Sequence, residues 1–387
     1  MSDVAIRGWC PGALQPMRSG DGLVVRIRPH ASRIDAAQAV GLAELAERHG
    51  NGILDLTNRA NLQIRGVGDA SYLPLIEGLA GLALLDPDPD TEARRNVLMT
   101  PFWTEGDEIA AFAAELEQAL ATGPAGVPTK FGFAVDCGRE RVLVGASADV
   151  RIERAVTGHF IVRADGAELG RQVTRTEAVK AVLALTEWFV ASGGAKGSRG
   201  RMAAHIGAGA RPPEALCGNA RPARSQILPG PGLYPQGAMF GLAFGQLTCT
   251  ALRYLGNCAR ALRMTPWRMI LAEGMDEMPQ CEGLITRAED PILRVIACSG
   301  APRCAQAYAD TRTLAEALAP HIAEDARLHV SGCAKGCAHS GPASITLVAT
   351  GEGFDLVRGG SVRDAPVLRG LSRAGILTDP SLLLGAR

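Results

Sequence analysis

Lysine is nearly absent from this sequence. Of its 40 basic residues only four are lysine (Lys130, Lys180, Lys196 and Lys335), which leaves 36 arginines. Aromatic side chains fill only 4% of the 387 positions, and neither charge is in excess, because 40 acidic residues balance the 40 basic ones. Net neutrality argues against nucleic acid as the main partner, since phosphate binding normally leaves a basic surplus. Long apolar runs are missing too. The longest, Ile76–Leu85 and Ala181–Ala191, fall far short of the ~20 residues that cross a bilayer, so no membrane partner is expected. The start, Met1-Ser2-Asp3-Val4, has neither the basic region nor the apolar core of a signal peptide. Ten cysteines in such a chain read as reduced thiols, metal ligands or core residues rather than a disulfide framework, and the expected compartment is the cytoplasm. No H-E-x-x-H, G-x-S-x-G, P-loop or strand–GxGxxG–helix pattern is present, so no NAD(P)H or flavin site is expected.

What is there is an ordinary globular composition, 47% hydrophobic and 21% charged. At roughly 100–200 residues per domain this length makes two or three domains or one composite body. The arginine surplus has two readings. One is codon bias in an Ala- and Gly-heavy chain; the other is that some of the guanidinium forks bind a polyanionic ligand, since arginine matches carboxylates bidentately.

Residues Gly22–Arg28 alternate and are β-branched, which predicts a strand. Asp35 opens an Ala/Leu-rich helix to His49, closed by Gly50. Gly52–Leu56 and Asn61–Gly66 read as strands joined by the Thr57-Asn58-Arg59-Ala60 turn, and a second helix is expected over Tyr72–Leu84. The order β-α-β-β-α is a ferredoxin-like half-unit. It returns late in the chain, where Leu54–Val67 lies ungapped on Leu262–Met275 with Leu54/Leu262, Thr57/Thr265 and Gly66/Gly274 identical. A strand (Met239–Phe244) and a helix (Thr250–Ala261) precede the second copy, so an internal duplication is expected. Between the copies, Pro128–Val135 and Val142–Ala146 read as strands and Thr176–Ala191 as an amphipathic helix. Gly193–Gly209 is glycine-rich and basic, and Ala210–Pro235 reads as a Pro-rich linker. The C-terminal region offers strand Ile292–Ala297, helix Leu314–Ala319 and strands Leu328–Ser331 and Ser344–Ala349.

The strongest chemical signal is Cys298 and Cys304, spaced C-x5-C, followed 28 residues on by Cys333 and Cys337, spaced C-x3-C. Both pairs follow an expected strand, and Gly300, Gly332 and Gly336 let backbone N–H groups approach. Four thiolates suit a [4Fe–4S] cluster with one cysteine per iron. A four-cysteine zinc site and unliganded core cysteines are the alternatives; the x5 spacing is wide for zinc. The other six cysteines have no paired spacing and read as small core residues, with Cys10-Pro11-Gly12 the one to inspect again. His339, two residues past Cys337, reads as a loop filler or an outer-shell donor.

The cysteine spacing, the Leu56-Thr57-Asn58-Arg59 motif and the duplicated half-units together resemble the sirohaem-type nitrite/sulfite reductase superfamily, over nearly the whole chain. That resemblance implies an α+β fold of duplicated ferredoxin-like half-domains alternating with two larger α/β domains. The segments would be residues 1–90, 91–210, 211–285 (linker and second half-domain) and 286–387 (cluster domain). It also implies a tetrapyrrole between the halves, with Cys337 in the position of the thiolate that bridges cluster and haem iron. The family's basic residues around the tetrapyrrole match Arg28 in Arg26-Ile27-Arg28, Arg59 in the Thr-Asn-Arg motif, Arg95 in Arg95-Asn96-Val97, and Lys130. Within the superfamily, the run Leu328–His339, Cys10-Pro11-Gly12 and Ser19-Gly20-Asp21-Gly22 are most similar to the precorrin-3B synthases. These are monooxygenases of aerobic cobalamin biosynthesis, which implies precorrin-3A and O2 as substrates, C-20 hydroxylation with γ-lactone formation, and an external electron donor. The O2-activating iron could be haem-bound (sirohaem or haem) or mononuclear; the sequence leaves this open, and no acid/base residue is singled out. One departure bears on the substrate. Assimilatory sulfite reductases carry a second lysine two residues after the Lys130 equivalent, and here that position is Gly132. A sirohaem-dependent nitrite or sulfite reductase is the first alternative, and a non-catalytic Fe–S carrier or tetrapyrrole-binding protein the second.

Overall fold

The computed structural model describes residues 11–383, so Cys10 and the first four residues lie outside the described part. The first segment runs through β1 (Met17–Ser19), β2 (Gly22–Ile27), β3 (Arg33–Asp35), α1 (Ala36–His49), β4 (Ile53–Leu56), β5 (Leu62–Val67) and α2 (Asp69–Gly81). Asp35 starts α1 with a capping box: its carboxylate accepts from Gln38 N at 2.8 Å, and the Gln38 side chain accepts from Asp35 N at 3.0 Å. Ala39, Leu42, Ala43 and Ala46 form the buried stripe of that helix.

The second segment holds α3 (Pro89–Arg94), β6 (Val97–Met99), α4 (Glu108–Ala121), β7 (Phe133–Asp136), β8 (Val150–Arg154), β9 (Phe160–Ala164), β10 (Arg171–Val173), α5 (Ala178–Ala191), α6 (Met202–Gly207) and α7 (Glu214–Cys217). The third holds β11 (Gly232–Tyr234), β12 (Gly237–Gly241), β13 (Gln246–Thr248), α8 (Cys249–Cys258), β14 (Ala261–Met264) and β15 (Met269–Glu273). The fourth holds β16 (Val295–Ala297), α9 (Arg312–Leu318), β17 (Leu328–Ser331), β18 (Ala343–Thr350), β19 (Gly353–Gly360), β20 (Leu368–Leu371) and α10 (Arg373–Thr378).

These strands make four five-stranded sheets that repeat as two pairs. The half-domain sheets are β1-β2-β5-β4-β13 and β11-β12-β15-β14-β3. The larger ones are β10-β9-β8-β7-β6 and β16-β17-β18-β19-β20, each with two parallel pairings followed by two antiparallel ones. The expected duplication therefore extends to the whole chain. Backbone detail repeats as well: Ala60 and Arg268, at matching places in the β4–β5 and β14–β15 turns, both take left-handed φ, +54° and +58°. In each turn the threonine hydroxyl (Thr57 or Thr265) accepts from the N–H two residues on, at 3.3 Å.

The two half-domains exchange a strand, which the sequence did not foretell. β3 pairs with β14, and β13 pairs with β4. Neither half-domain is closed by itself; α1 packs beside α8, and one apolar core (Ile27, Leu42, Leu54, Leu62, Phe240, Leu252) runs through both. Each larger domain has its own core, around Phe112, Phe133 and Phe189 in the first and Leu318, Val330 and Leu347 in the second.

Three local expectations are corrected. Val142–Ala146 is a loop, because the N–H groups of Val142 and Leu143 are taken by the Asp136 carboxylate at 3.0 and 2.7 Å instead of by a neighbouring strand. Residues 128–132 precede the strand that begins at Phe133, since Phe131 N turns back to Pro128 O at 2.8 Å. The segment read as a linker is docked: Ala220 and Pro222 form bridges to Gly170 and Ala155 of the first large domain. Among the described residues no helix is long and apolar enough to cross a membrane.

Candidate functional site

The cysteines sit where β16 and β17 end. These strands are parallel neighbours with Ala297 opposite Val330, so Cys298 and Gly332-Cys333 leave the same edge of the sheet. Backbone bonds stitch the two loops together. Tyr308 N donates to Gly332 O at 2.9 Å, Cys304 N to Gly300 O at 2.7 Å, and Ala307 N to Cys304 O at 3.1 Å. Gly332 N points at the Cys298 sulfur, 3.2 Å away. A side chain at 332 is disfavoured, because a Cβ there would lie 2.7 Å from Ala307 Cβ and 3.4 Å from that sulfur. All four thiols are free; three are half-buried and Cys337 is exposed. Crowding around the Cys337 sulfur pushes its pKa up; Lys335 opposes this, and Cys333, Cys298 and Cys304 add to it.

This donor set suits a four-iron cluster. The fit rests on donor chemistry, four thiols carried on two neighbouring strand-end loops. A [4Fe–4S] cluster, with one thiolate per iron, spreads its cysteines more widely than a tetrahedral zinc with bonds of about 2.3 Å. An N–H aimed at a ligand sulfur also stabilises thiolate charge. Beside these loops opens a cleft of about 930 Å³, bordered by Gln306, Tyr308, Cys333, Val348, Asp355 and Arg369.

The first half-domain grips the cysteine loop through its β1–β2 turn. Ser19 Oγ and Arg65 Nη2 both donate to Arg303 O, at 2.9 and 3.1 Å, and Arg65 is held by Asp21 at 3.0–3.1 Å. Gly20 permits this approach: a Cβ there would stand 2.7 Å from Pro302 O and 3.0 Å from Ala305 N. Arg312, just past the loop, reaches back to Asp55 at 3.0 Å. The Ser19–Gly22 segment thus has a physical task at the cysteine loop.

The same half-domain contacts the first large domain through Arg59. Its Nη2 donates to Lys130 O at 2.8 Å and Ser147 Oγ at 3.0 Å. Arg59 is half-buried and Lys130 exposed, so these two of the four expected basic residues meet on an accessible surface. Arg28 and Arg95 meet each other in the wall behind. Arg28 Nη1 donates to Glu92 O (2.6 Å), Ala93 O (3.3 Å) and Asn96 Oδ1 (3.0 Å), which closes the end of α3. Arg95 forms a fork with Asp86 at 2.8 and 2.8 Å, lies 3.6 Å from Glu117, and donates to Arg28 O at 2.7 Å. Burial works against the Arg95 charge, and Asp86 and Glu117 more than compensate, leaving its pKa raised.

Sequence reasoning did not single out Arg201, Ser147 or Asp149. Arg201 donates to Asp149 Oδ1 (2.9 Å), Ser147 Oγ (3.0 Å) and Ala148 O (3.2 Å), so it shares the serine hydroxyl with Arg59. The signal available was the basic, glycine-rich character of Gly193–Gly209; which residue of it turns inward depends on an aspartate 52 positions earlier.

Comparison with known proteins agrees with this architecture. The sequence profile of the nitrite/sulfite reductase ferredoxin-like half domain matches residues 15–82. A precorrin-3B synthase from Sinorhizobium sp is 30% identical over 410 aligned positions, covering 93% of this chain and 84% of that protein. Among solved structures, the NirA protein of Mycobacterium tuberculosis superposes with a TM-score of 0.60 at 16% identity, covering 87% of this chain and 75% of that one. The last is a likeness of fold.

Proposed function

Because the chain belongs to the precorrin-3B synthase family, we propose that it is an oxidoreductase of cobalamin biosynthesis that oxidises precorrin-3A with O2. One oxygen atom enters the product as the C-20 hydroxyl, and the ring A acetate closes a γ-lactone. The other leaves as water, with two electrons and two protons supplied from outside. Arg59 and Lys130 are the residues placed to meet substrate carboxylates, as charge-assisted donors on an accessible surface. Arg28 and Arg95 shape the wall that carries the Lys130 loop. Cys298, Cys304, Cys333 and Cys337 would hold a [4Fe–4S] cluster, which when bound supplies electrons one at a time. An external donor or reductase would reload it.

The observation that carries this reading over sulfite or nitrite reduction is Gly132. Where a small oxyanion needs a second fixed cation, this chain has a buried glycine, and the space beside it is taken by Arg59, whose Nη1 would lie 3.3 Å from a Cβ at 132. A pocket short of one cation is poorly suited to stabilising a small anion through successive protonations. The large, multiply carboxylated precorrin can instead be gripped at several separated carboxylates. The test is anaerobic purification with iron and sulfide analysis, then incubation with precorrin-3A, a reductant and O2. An oxygenated tetrapyrrole is expected. Oxidation of reduced methyl viologen by nitrite or sulfite, without an oxygenated product, would assign the protein to the reductases.

A further inference from the structure

We infer that Arg201 is a positioning residue of the substrate pocket: acting through the Ser147 hydroxyl, it sets the orientation in which Arg59 meets a substrate carboxylate. The inference rests on the reading of the pocket as a tetrapyrrole site. It starts from Asp149, which is fully buried and has three donors around its carboxylate. Gly132 N donates to Oδ2 at 2.9 Å; Arg201 Nε and Met202 N donate to Oδ1 at 2.9 and 2.8 Å. Asp149 N returns a bond to Gly132 O at 2.6 Å. One carboxylate therefore ties the Lys130–Gly132 loop to the start of α6, and fixes Arg201 between them.

With Nε held, the Arg201 fork has one direction left. Its Nη1 reaches Ser147 Oγ at 3.0 Å, the same oxygen that accepts from Arg59 Nη2 at 3.0 Å. A hydroxyl has two lone pairs, so both guanidinium groups can donate to it at once, and the hydroxyl proton must then point elsewhere. Two cations sharing one oxygen repel, and the Asp149 carboxylate, 2.9 Å from Arg201 Nε, offsets that repulsion. Position 132 completes the seat. Its backbone bonds to Asp149 on both sides, and a Cβ there would crowd Ser147 O (3.2 Å), Arg59 Nη1 (3.3 Å) and Asn96 O (3.4 Å). Glycine leaves the guanidinium of Arg59 the space it occupies; a lysine at this position would have to cross that space.

The experiment is a double-mutant cycle on the cluster-loaded protein, with uroporphyrin III as the carboxylated tetrapyrrole probe and fluorescence quenching as the readout. Arg201→Gln and Ser147→Ala should each weaken binding about tenfold, with iron and sulfide content unchanged, and Arg201→Lys should recover part of the loss. In an Arg59→Ala background neither change should weaken binding further, because a residue acting through Arg59 has nothing left to orient. Additive losses, or an effect of Arg201→Gln without one of Ser147→Ala, would overturn the inference while leaving the tetrapyrrole reading intact. Unaltered protein that binds no uroporphyrin III overturns both. Gly132→Lys should mimic Arg201→Gln and likewise lose its effect in the Arg59→Ala background.

Discussion

Replacing Asp86 by alanine should destabilise the protein more than any single change at the accessible basic residues. Arg95 and Asp86 are 4% and 5% exposed, and the fork between them is closed at 2.8 Å on both arms. Removing the carboxylate leaves a guanidinium that burial already penalises, with Glu117 at 3.6 Å and the charge of Glu92 left to offset it. Breaking a buried pair from one side costs about 3–5 kcal/mol, against about 0–1 kcal/mol for an exposed pair such as Arg18–Asp69. The loss has a route to the pocket: Arg95 donates to Arg28 O, and Arg28 holds the carbonyls at the end of α3 and the Asn96 side chain. Asp86→Ala, Asp86→Asn and the apolar pair Asp86→Leu/Arg95→Met would be compared by urea unfolding. The alanine variant should be the least stable, the asparagine intermediate, and the apolar pair should recover a large part of the loss. An Asp86→Ala unfolding free energy within about 1 kcal/mol of the parent would refute the wall assignment. So would an Arg95→Ala variant of unchanged stability that binds tetrapyrrole poorly, since Arg95 would then be a clamp.

Arg59→Ala should weaken tetrapyrrole binding by about tenfold or more while iron and sulfide stay constant; loss of iron would show that Arg59 serves the cysteine loop instead. Cys333→Ser should abolish cluster assembly, read as lost iron, sulfide and visible absorbance. Gly20→Val should loosen the cysteine loop, because its Cβ falls 2.7 Å from Pro302 O, and the expected readout is faster loss of iron to a chelator. Two buried groups set opposing pH dependences of stability. Burial, aided by His339 and Arg268, pushes the His329 pKa down to about 4, so stability present above the unfolded value of about 6.5 is lost as pH falls toward 4. Burial pushes Asp136 up to about 6, so its contribution is present below about pH 4 and is lost as pH rises through 6. His329→Gln should therefore lose less stability than the parent on acidification from pH 6.5 to 4.5, and Asp136→Asn less on the return; identical slopes in urea titrations would contradict both assignments.

The parts of the fold carried by local pattern were legible in the sequence. Asp35 announces α1, the shared Leu54/Leu262, Thr57/Thr265 and Gly66/Gly274 positions announce the duplication, and the strand-then-cysteine order puts Cys298 and Cys333 at the same end of one sheet. What escaped depends on partners far apart in the chain. β3 and β13 are three residues each, too short to show a period, so their exchange between the half-domain sheets left no trace. Val142–Ala146 has the composition of a strand, but a buried aspartate captures its amides first. At the site, a motif match names Arg95 as readily as Arg59, and only burial separates the one locked to Asp86 from the one half-open beside Lys130. Most of the 36 arginines are likewise spoken for by carboxylates or backbone carbonyls, as with Arg141, Arg151, Arg163 and Arg263. Their number says little about ligand binding; their partners say much.

The most direct test of the proposed chemistry is the fate of isotopically labelled dioxygen. Purified, cluster-loaded protein would be reduced, mixed with precorrin-3A and given 18O2, and the tetrapyrrole product analysed by mass spectrometry. The account predicts one 18O atom in the product and the second in water, with no consumption of nitrite or sulfite in parallel incubations. A product without 18O, formed by protein that reduces nitrite or sulfite, would contradict it.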